Sequence, residues 1–242
     1  MSGHSKWSNI KDRKGSQDKK RSEAFTKMAK NILTAIRAGG NNTSPDANYL
    51  LKAAIDRAKE VNMPKENIER LITRFEERKA NLVTMTLEGF GPLGVPLIIG
   101  AETDNKNRIL SEIKLIFRNH QGTLGEGNSV AFLFDRVGEV ELETIPEDKE
   151  LLLIDAGAED FEENRVITKA EDAGRMKEKA IELGLKVVNF GVVMKAKNPV
   201  MLKSEEEVVK MMDFISELEE NEDVIEVFAG FDFKEGENVK KI

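Results

Sequence analysis

Residues 6–21, KWSNIKDRKGSQDKKR, interleave cations with small polar residues and one aromatic. Lys6, Lys11, Arg13, Lys14, Lys19, Lys20 and Arg21 supply positive charge; Trp7 is the only tryptophan of the chain and His4, just upstream, is one of two histidines. Cations in such density neutralise phosphates, and an indole placed among them stacks on an unpaired base. A tryptophan is a poor choice for a merely solvated tail, although it also serves as an anchor on a neighbouring helix. Gly3 adds a place where backbone approaches a ligand closely. No base-reading pattern on a recognition helix accompanies them, so backbone and shape recognition is expected rather than sequence reading.

Other chemistries find less support. The chain has no cysteine, which removes disulfides and thiolate sites, and two distant histidines do not make a zinc site. No G-x-S-x-G is present. His120, in RNHQGTLG, reads as a helix C-terminal residue complementing the helix dipole. GTLGEGNS (122–129) is glycine-rich but follows a helix and lacks the lysine of a P-loop, so a turn is expected. The acidic runs 159–163 and 217–223 lack calcium-loop spacing and read as solvated faces. No enzyme, cofactor or metal site is therefore expected.

Charge is divided unevenly. Residues 1–80 carry 18 Lys and Arg against 10 Asp and Glu, a balance of +8; residues 81–242 carry 19 against 34, a balance of −15. One part is built to meet a polyanion and the other keeps the protein soluble. Apolar runs fall short of a membrane span, and the basic start lacks a signal-peptide core, so a cytoplasmic protein is expected.

The elements positioning these residues follow from periodicity. Segment 22–38 places Phe25, Met28, Ala29, Ile32, Leu33 and Ile36 at helical spacing, with Ser22 as N-cap and Gly39-Gly40 as stop. A second helix follows Ser44-Pro45-Asp46, and a third starts with Pro64 at its first position. Three short amphipathic helices predict a bundle over residues 1–80, closed by a linker at Glu76–Ala80. Lys27, Lys30, Arg37, Arg57 and Lys59 fall on its polar faces, and Arg37 joins the candidate binding surface.

Beyond residue 80 the period alternates. Strands are expected in VTMTLEGFG, VPLIIGAET, SVAFLFDR and GEVELETI, the last two split by Gly138. Short strands near 160–168, KVVNFGVVM and a final strand DVIEVFAGF follow, with helices at 107–119, 146–156, 171–183 and 204–220. The order lacks βαβ regularity, so an α+β fold with antiparallel sheets is expected. A second candidate surface lies in AETDNKNR (101–108), where Asn105, Asn107 and Arg108 stand between strand and helix; capping is the default role and contact with a phosphate the alternative.

GHSKWSNIKDRKGSQDKKR, AIRAGG, AKEVNMPKENIERLI, EGFGPLGVPLI, ETDNKNR and SVAFLF resemble, in order, the signature blocks of the YebC family, which includes the mitochondrial translational activator of cytochrome oxidase. GAEDFEE and ENEDVIEVFAGFD are similar too. The resemblance implies three domains: a basic helical bundle with its arm (1–80), a discontinuous α/β domain (81–135 plus 201–242), and a second α/β domain inserted within it (136–200). It also implies a regulator of gene expression: a ribosome-associated, RNA-binding translation factor easing difficult sequences such as consecutive prolines, or a DNA-binding transcription regulator at promoters. Ribosomal RNA is the first expected partner, promoter DNA the alternative, and no membrane is involved. Three positions depart from the family pattern: Leu93 and Asn128 where glycine is common, and Gly15 where alanine is usual.

Overall fold

The computed structural model describes residues 17–233. Helix α1 (Gln17–Ala38) is followed by α2 (Tyr49–Glu60) and α3 (Lys65–Arg78). Their inward stripes meet as a core of Ile32, Ile36, Leu51, Ala58, Ile68 and Phe75. Because α1 starts at Gln17, Ser22 lies within the helix and does not cap it. The stop after Ala38 is made by left-handed backbone at Gly40 (φ 71°) and Asn41 (φ 60°). Asn48, buried, caps α2: its side chain accepts from the Leu51 N–H (3.1 Å) and donates to the carbonyls of Ala35 and Asn42 (both 3.0 Å). Gly39 is required beside it, since a Cβ there would lie 2.1 Å from the Asn48 amide nitrogen.

Pro64 stands at the N-cap of α3 rather than at its first helical position. The stretch 76–80 is no open linker: α3 runs to Arg78 and tightens into a 3-10 turn at Lys79–Asn81. Phe75 packs that last turn into the bundle core, and the ion pairs of Arg78 with Asp104 and Asp223 hold it against the neighbouring sheet.

Strand β1 (Val83–Phe90) pairs antiparallel with β2 (Pro96–Thr103), from Val83↔Thr103 to Phe90↔Pro96. Helix α4 (Lys106–Asn119) leads to the short β3 (Thr123–Leu124), and with the late strand β9 (Val224–Ala229) the sheet order is β3-β1-β2-β9. Strand β2 is apolar on both sides, as a central strand covered on both faces must be. Leu97, Ile99 and Ala101 face a core with Ile109, Ile113, Phe117, Phe214 and Ile215, while Ile98 packs with Val130 and Phe134. Phe117 and Phe214 meet edge to face at 5.0 Å. In the β1–β2 turn, Leu93 adopts φ 61°, and Asn128 in the later loop adopts φ 64°. Two of the departures from the family pattern thus occupy left-handed backbone, where glycine costs nothing and asparagine little.

The chain then builds a second sheet. A 3-10 turn (Ala131–Leu133) precedes β4 (Phe134–Leu142), which runs unbroken through Gly138. That glycine is a close-approach residue and not a break: a Cβ would stand 2.6 Å from the Lys169 carbonyl oxygen. Helix α5 (Glu147–Asp155), β5 (Asp160–Glu162), β6 (Arg165–Lys169), α6 (Ala173–Glu182) and β7 (Val187–Ala196) complete an antiparallel sheet of order β5-β6-β4-β7. Val140, Leu142, Leu153, Val166, Met176 and Ala180 form its core.

β8 (Val200–Leu202) and α7 (Glu205–Glu220), capped by Ser204, bring the chain back to β9 (Val224–Ala229) beside β2. The expected single last strand is two: Gly230, against the Pro96 ring, separates β9 from β10 (Phe231–Phe233). β10 pairs parallel with β8, the one departure from antiparallel pairing among the described residues. The α+β architecture with several packed units stands.

Candidate nucleic-acid interface

His4, Lys6, Trp7, Lys11, Arg13 and Lys14 lie outside the described residues. Lys19, Lys20 and Arg21 fall in the first turns of α1. Further along the bundle, Lys27, Lys52 and Arg57 are exposed. Lys59 is exposed but joined to Asp56 at 3.0 Å. Lys30 is half-buried; burial lowers its pKa, against the attraction of Glu219. Tyr49, the only tyrosine, is 78% exposed at the first residue of α2. Sequence reasoning missed it. Its signal was local: an aromatic placed directly after a polar capping loop, with no role in the helix's apolar stripe.

Arg37 is used differently from expectation. Its Nε donates to Glu102 Oε2 at 2.7 Å, and the guanidinium carbon lies 5.9 Å from the Phe75 ring centroid. The side chain ties the bundle to β2 and is not a free cation facing outward.

The ETDNKNR stretch forms the rest of this junction. Asn105 caps α4, accepting from the Arg108 N–H at 3.1 Å. Asn107 is exposed, its carbonyl accepting from the Ser111 hydroxyl. Arg108 Nη2 donates to Asp104 Oδ1 and Asp223 Oδ2, both at 2.7 Å. From α3, Arg78 Nη2 donates to the same two carboxylates, at 2.9 Å to Asp104 and in a very short contact to Asp223. The Thr103 hydroxyl adds a bond to Asp223 Oδ2 at 2.7 Å, and Arg74 meets Glu222 at 2.8 Å.

The electrostatics follow. Hydrogen bonding from Arg78, against a smaller effect of burial and with help from Arg108, holds Asp104 at about 2. Burial pushes the Asp223 carboxyl up, but Arg108, Arg78 and Thr103 outweigh it and leave it below the usual carboxylate range. Asp223 raises the Arg108 pKa first and Asp104 second. Of the second candidate surface, then, Asn105 and Arg108 are committed to cap and junction, while Asn107 stays outward beside Lys106 at the start of α4.

The glycine-rich loop is closed from inside. Glu88, buried on β1, accepts the backbone N–H groups of Asn128, Val130 and Ala131, each at 2.8 Å. A carboxylate of the chain itself occupies the donors that a phosphate would need, so the loop is a turn and not a nucleotide cradle. Burial raises the Glu88 pKa, but these N–H bonds outweigh it and the net shift is downward. His120 ends α4, with Nε2 2.6 Å from Glu217 Oε2 and its ring 5.2 Å from Phe214. Among the described residues, no group of three or more His, Cys, Asp or Glu side chains is placed to hold a metal ion. Nor is any described helix long and apolar enough to cross a membrane.

Comparison with known proteins covers nearly the whole chain. Residues 5–78 match the model of the TACO1/YebC protein N-terminal domain, and residues 82–231 that of the TACO1/YebC second and third domain. A protein of Thermoanaerobacter pseudethanolicus named probable transcriptional regulatory protein is 41% identical over 97% of this chain and 98% of its own. Another so named, from Thermotoga maritima, is 39% identical over 98% and 96%. The crystal structure of a conserved hypothetical protein from Aquifex aeolicus superposes with a TM-score of 0.62 at 33% identity, covering 93% of this chain and 96% of that one. With both family models matched in order along one chain, the protein belongs to the TACO1/YebC family.

Proposed function

We propose that this protein is a non-enzymatic, cytoplasmic regulator of gene expression that binds nucleic acid through its basic N-terminal arm and the outward cations of the bundle. RNA of the ribosome is the partner we favour. The division of charge carries the reading: +8 over residues 1–80 against −15 over the rest. An acidic body repels a polyanion while the arm attracts it, so binding is oriented. His4, Lys6, Trp7, Lys11, Arg13, Lys14, Lys19, Lys20 and Arg21 are assigned the contacts, with Trp7 stacking on an unpaired base. Residues 1–80 form the binding unit, residues 81–135 with 201–242 its support, and residues 136–200 an inserted domain. The role of such a factor at the ribosome is to order RNA or a tRNA end, which needs no catalytic group.

A second reading, a DNA-binding transcription regulator, is favoured by the names of the relatives. Crosslinking in cells, followed by sequencing of both RNA and DNA recovered on the protein, separates the two. Reads concentrated at one region of ribosomal RNA support the first; reads at promoters without ribosomal enrichment overturn it. With six to ten phosphate contacts, affinity falls by roughly 10³–10⁵ between 50 and 200 mM salt. Neutralising Lys11, Arg13, Lys14, Lys19, Lys20 and Arg21 removes most of that slope.

A further inference from the structure

The body beyond residue 80 is acidic, with 19 Lys and Arg against 34 Asp and Glu. Helix α4 inverts that balance: it carries Lys106, Arg108, Lys114 and Arg118 against one acid, Glu112. Its inward stripe, Ile109, Ile113, Ile116 and Phe117, is buried against the first sheet. Arg108 is committed to Asp104 and Asp223. Glu112 is turned toward the end of α7, where its Oε2 accepts from the Asn221 amide at 2.7 Å. What remains outside is Asn107, Ser111, Lys114 and Arg118, at i, i+4, i+7 and i+11, with Lys106 beside them in the first turn. These four share one side of the helix, and Glu112 stands roughly 100° or more round the axis from each of them. All five are exposed, and among the described residues the ion pairs of α4 all belong to Arg108.

This arrangement does not serve the helix. Lys114 and Arg118 are like charges at i, i+4, which is unfavourable. Lys106 stands at the positive end of the helix dipole, in a first turn that holds no acid. A helix face that is merely solvated alternates its signs, and this one holds a single sign. Leu110 and Leu115 flank it, and no aromatic is among the exposed residues of α4. Phosphates find cations here, and an unpaired base finds nothing to stack on.

We infer that the outer face of α4 is a second nucleic-acid contact, on the body itself, taking the phosphate backbone of base-paired RNA. Lys106, Lys114 and Arg118 neutralise phosphates, and the Asn107 amide donates beside them. The inference rests on the nucleic-acid reading and extends it from the arm and bundle to the body. From Asn107 to Arg118 the row runs about 16 Å along one helix. A rigid row of that length suits a backbone of fixed geometry, as in an A-form helix, which proteins recognise through phosphates and 2′-hydroxyls rather than base edges. The row begins at the junction, because Arg108 shares Asp104 with Arg78 of α3. An RNA that touches both the bundle and α4 therefore makes its second contact intramolecularly, at high effective concentration.

The test is fluorescence anisotropy of the full chain with a labelled RNA hairpin of about 20 base pairs, titrated from about 50 to 300 mM KCl. Each phosphate contact on a duplex adds roughly 0.9 to the slope of log affinity against log salt. Lys106→Gln/Lys114→Gln/Arg118→Gln should lower that slope by about 2 to 3 and weaken binding at about 100 mM salt at least tenfold. The three positions are exposed, so the fold stays intact, as circular dichroism checks. Arg175→Gln/Lys179→Gln/Lys186→Gln makes the same charge change on exposed, ion-paired residues elsewhere on the body and should leave the slope unchanged. A slope lowered by the α4 triple and not by this control supports the inference. An α4 triple that keeps the parent's slope, or matches the control, overturns it. The nucleic-acid reading then still stands if neutralising Lys11, Arg13, Lys14, Lys19, Lys20 and Arg21 removes most of the slope. A parent that does not bind the hairpin, or binds it without salt dependence, overturns both. An equal loss on an unpaired polyuridine strand of the same charge would overturn the choice of base-paired RNA.

Discussion

Replacing Asp223 by Asn tests whether the charged cluster holds the bundle to the first sheet. The Asp223 side chain is 4% exposed and accepts from Thr103, Arg108 and Arg78, the last from a different structural unit. Removing one partner of a buried pair costs about 3–5 kcal/mol, because the remaining charges stay desolvated. Arg78 keeps Asp104 and the Arg108 side chain is 37% exposed, which argues for the lower end, about 3 kcal/mol. At 1.36 kcal/mol per decade, that raises the undocked population on the order of 100-fold. The assay is native-state hydrogen exchange at pH 7. Amides at the end of α3 and over 103–109 should exchange about 100-fold faster, while those around Phe214 and Ile215 in α7 keep their protection. A double variant with Arg78→Met should cost less than the sum of the single changes.

The same junction has a pH signature. Asp104 is held at about 2 and Asp223 is also depressed, so their contribution is complete above the ordinary carboxylate pKa and disappears as pH falls through the folded values. Exchange of the junction should be flat from pH 7 to 5, once corrected for intrinsic rates, and rise from about pH 4 toward 2. Junction amides of Asp223→Asn exchanging within threefold of the parent would refute the whole argument, since the cluster would then contribute nothing to docking.

Other substitutions probe single causes. Leu93→Gly relieves a left-handed φ at a 44% exposed side chain, so calorimetry should show a change from neutral to about 1 kcal/mol more stable, and Leu93→Val a loss. Gly138→Ala drives a Cβ to 2.6 Å from the Lys169 carbonyl and 2.9 Å from the Thr168 methyl; urea titration should show a loss of about 2 kcal/mol or more, confined to the second sheet. Glu88→Gln sets an amide against three N–H donors and should cost about 2 kcal/mol, read as faster exchange of the 128–131 amides. Because the Glu88 pKa is lowered in the fold, the parent should lose that protection as pH falls below about 4, while Glu88→Gln shows no such step.

Much of the architecture was legible because it depends on local rules. Helix stripes such as Ile109, Ile113, Ile116 and Phe117 and the double-sided run Leu97–Ile99 are written in residue spacing, and the positions of Ser204 and Asn105 mark two helix starts. Errors arose where a local sign was overruled from a distance. Gly138 reads as a break, yet it is there because the Lys169 carbonyl comes close; Ser22 reads as a cap, yet the helix extends past it. Gly230 separates two strands that look like one because β10 must turn to pair with β8. The junction was invisible for the same reason. Arg78 and Asp223 are 145 residues apart, and no periodicity announces an ion pair at that separation.

That junction also changes how the bundle's positive charge should be counted. Arg37, Arg74 and Arg78 are matched one side at a time by Glu102, Glu222, Asp104 and Asp223 of the acidic body. These guanidiniums attract the body, and what is spent there is not offered to a polyanion. Lys27 of α1 and Lys52 and Arg57 of α2 are exposed, and the arm adds its cations before them in the sequence. A bundle cationic all round would bind phosphates in many orientations; one whose inner face is neutralised offers a single side. On the proposed reading, fixing the bundle against the sheet does for binding what net charge alone cannot: it sets which way the acidic body points when the basic side meets a polyanion. On this argument, loosening the junction should broaden the orientations of the bound complex while leaving its salt dependence, set by the outward cations, unchanged.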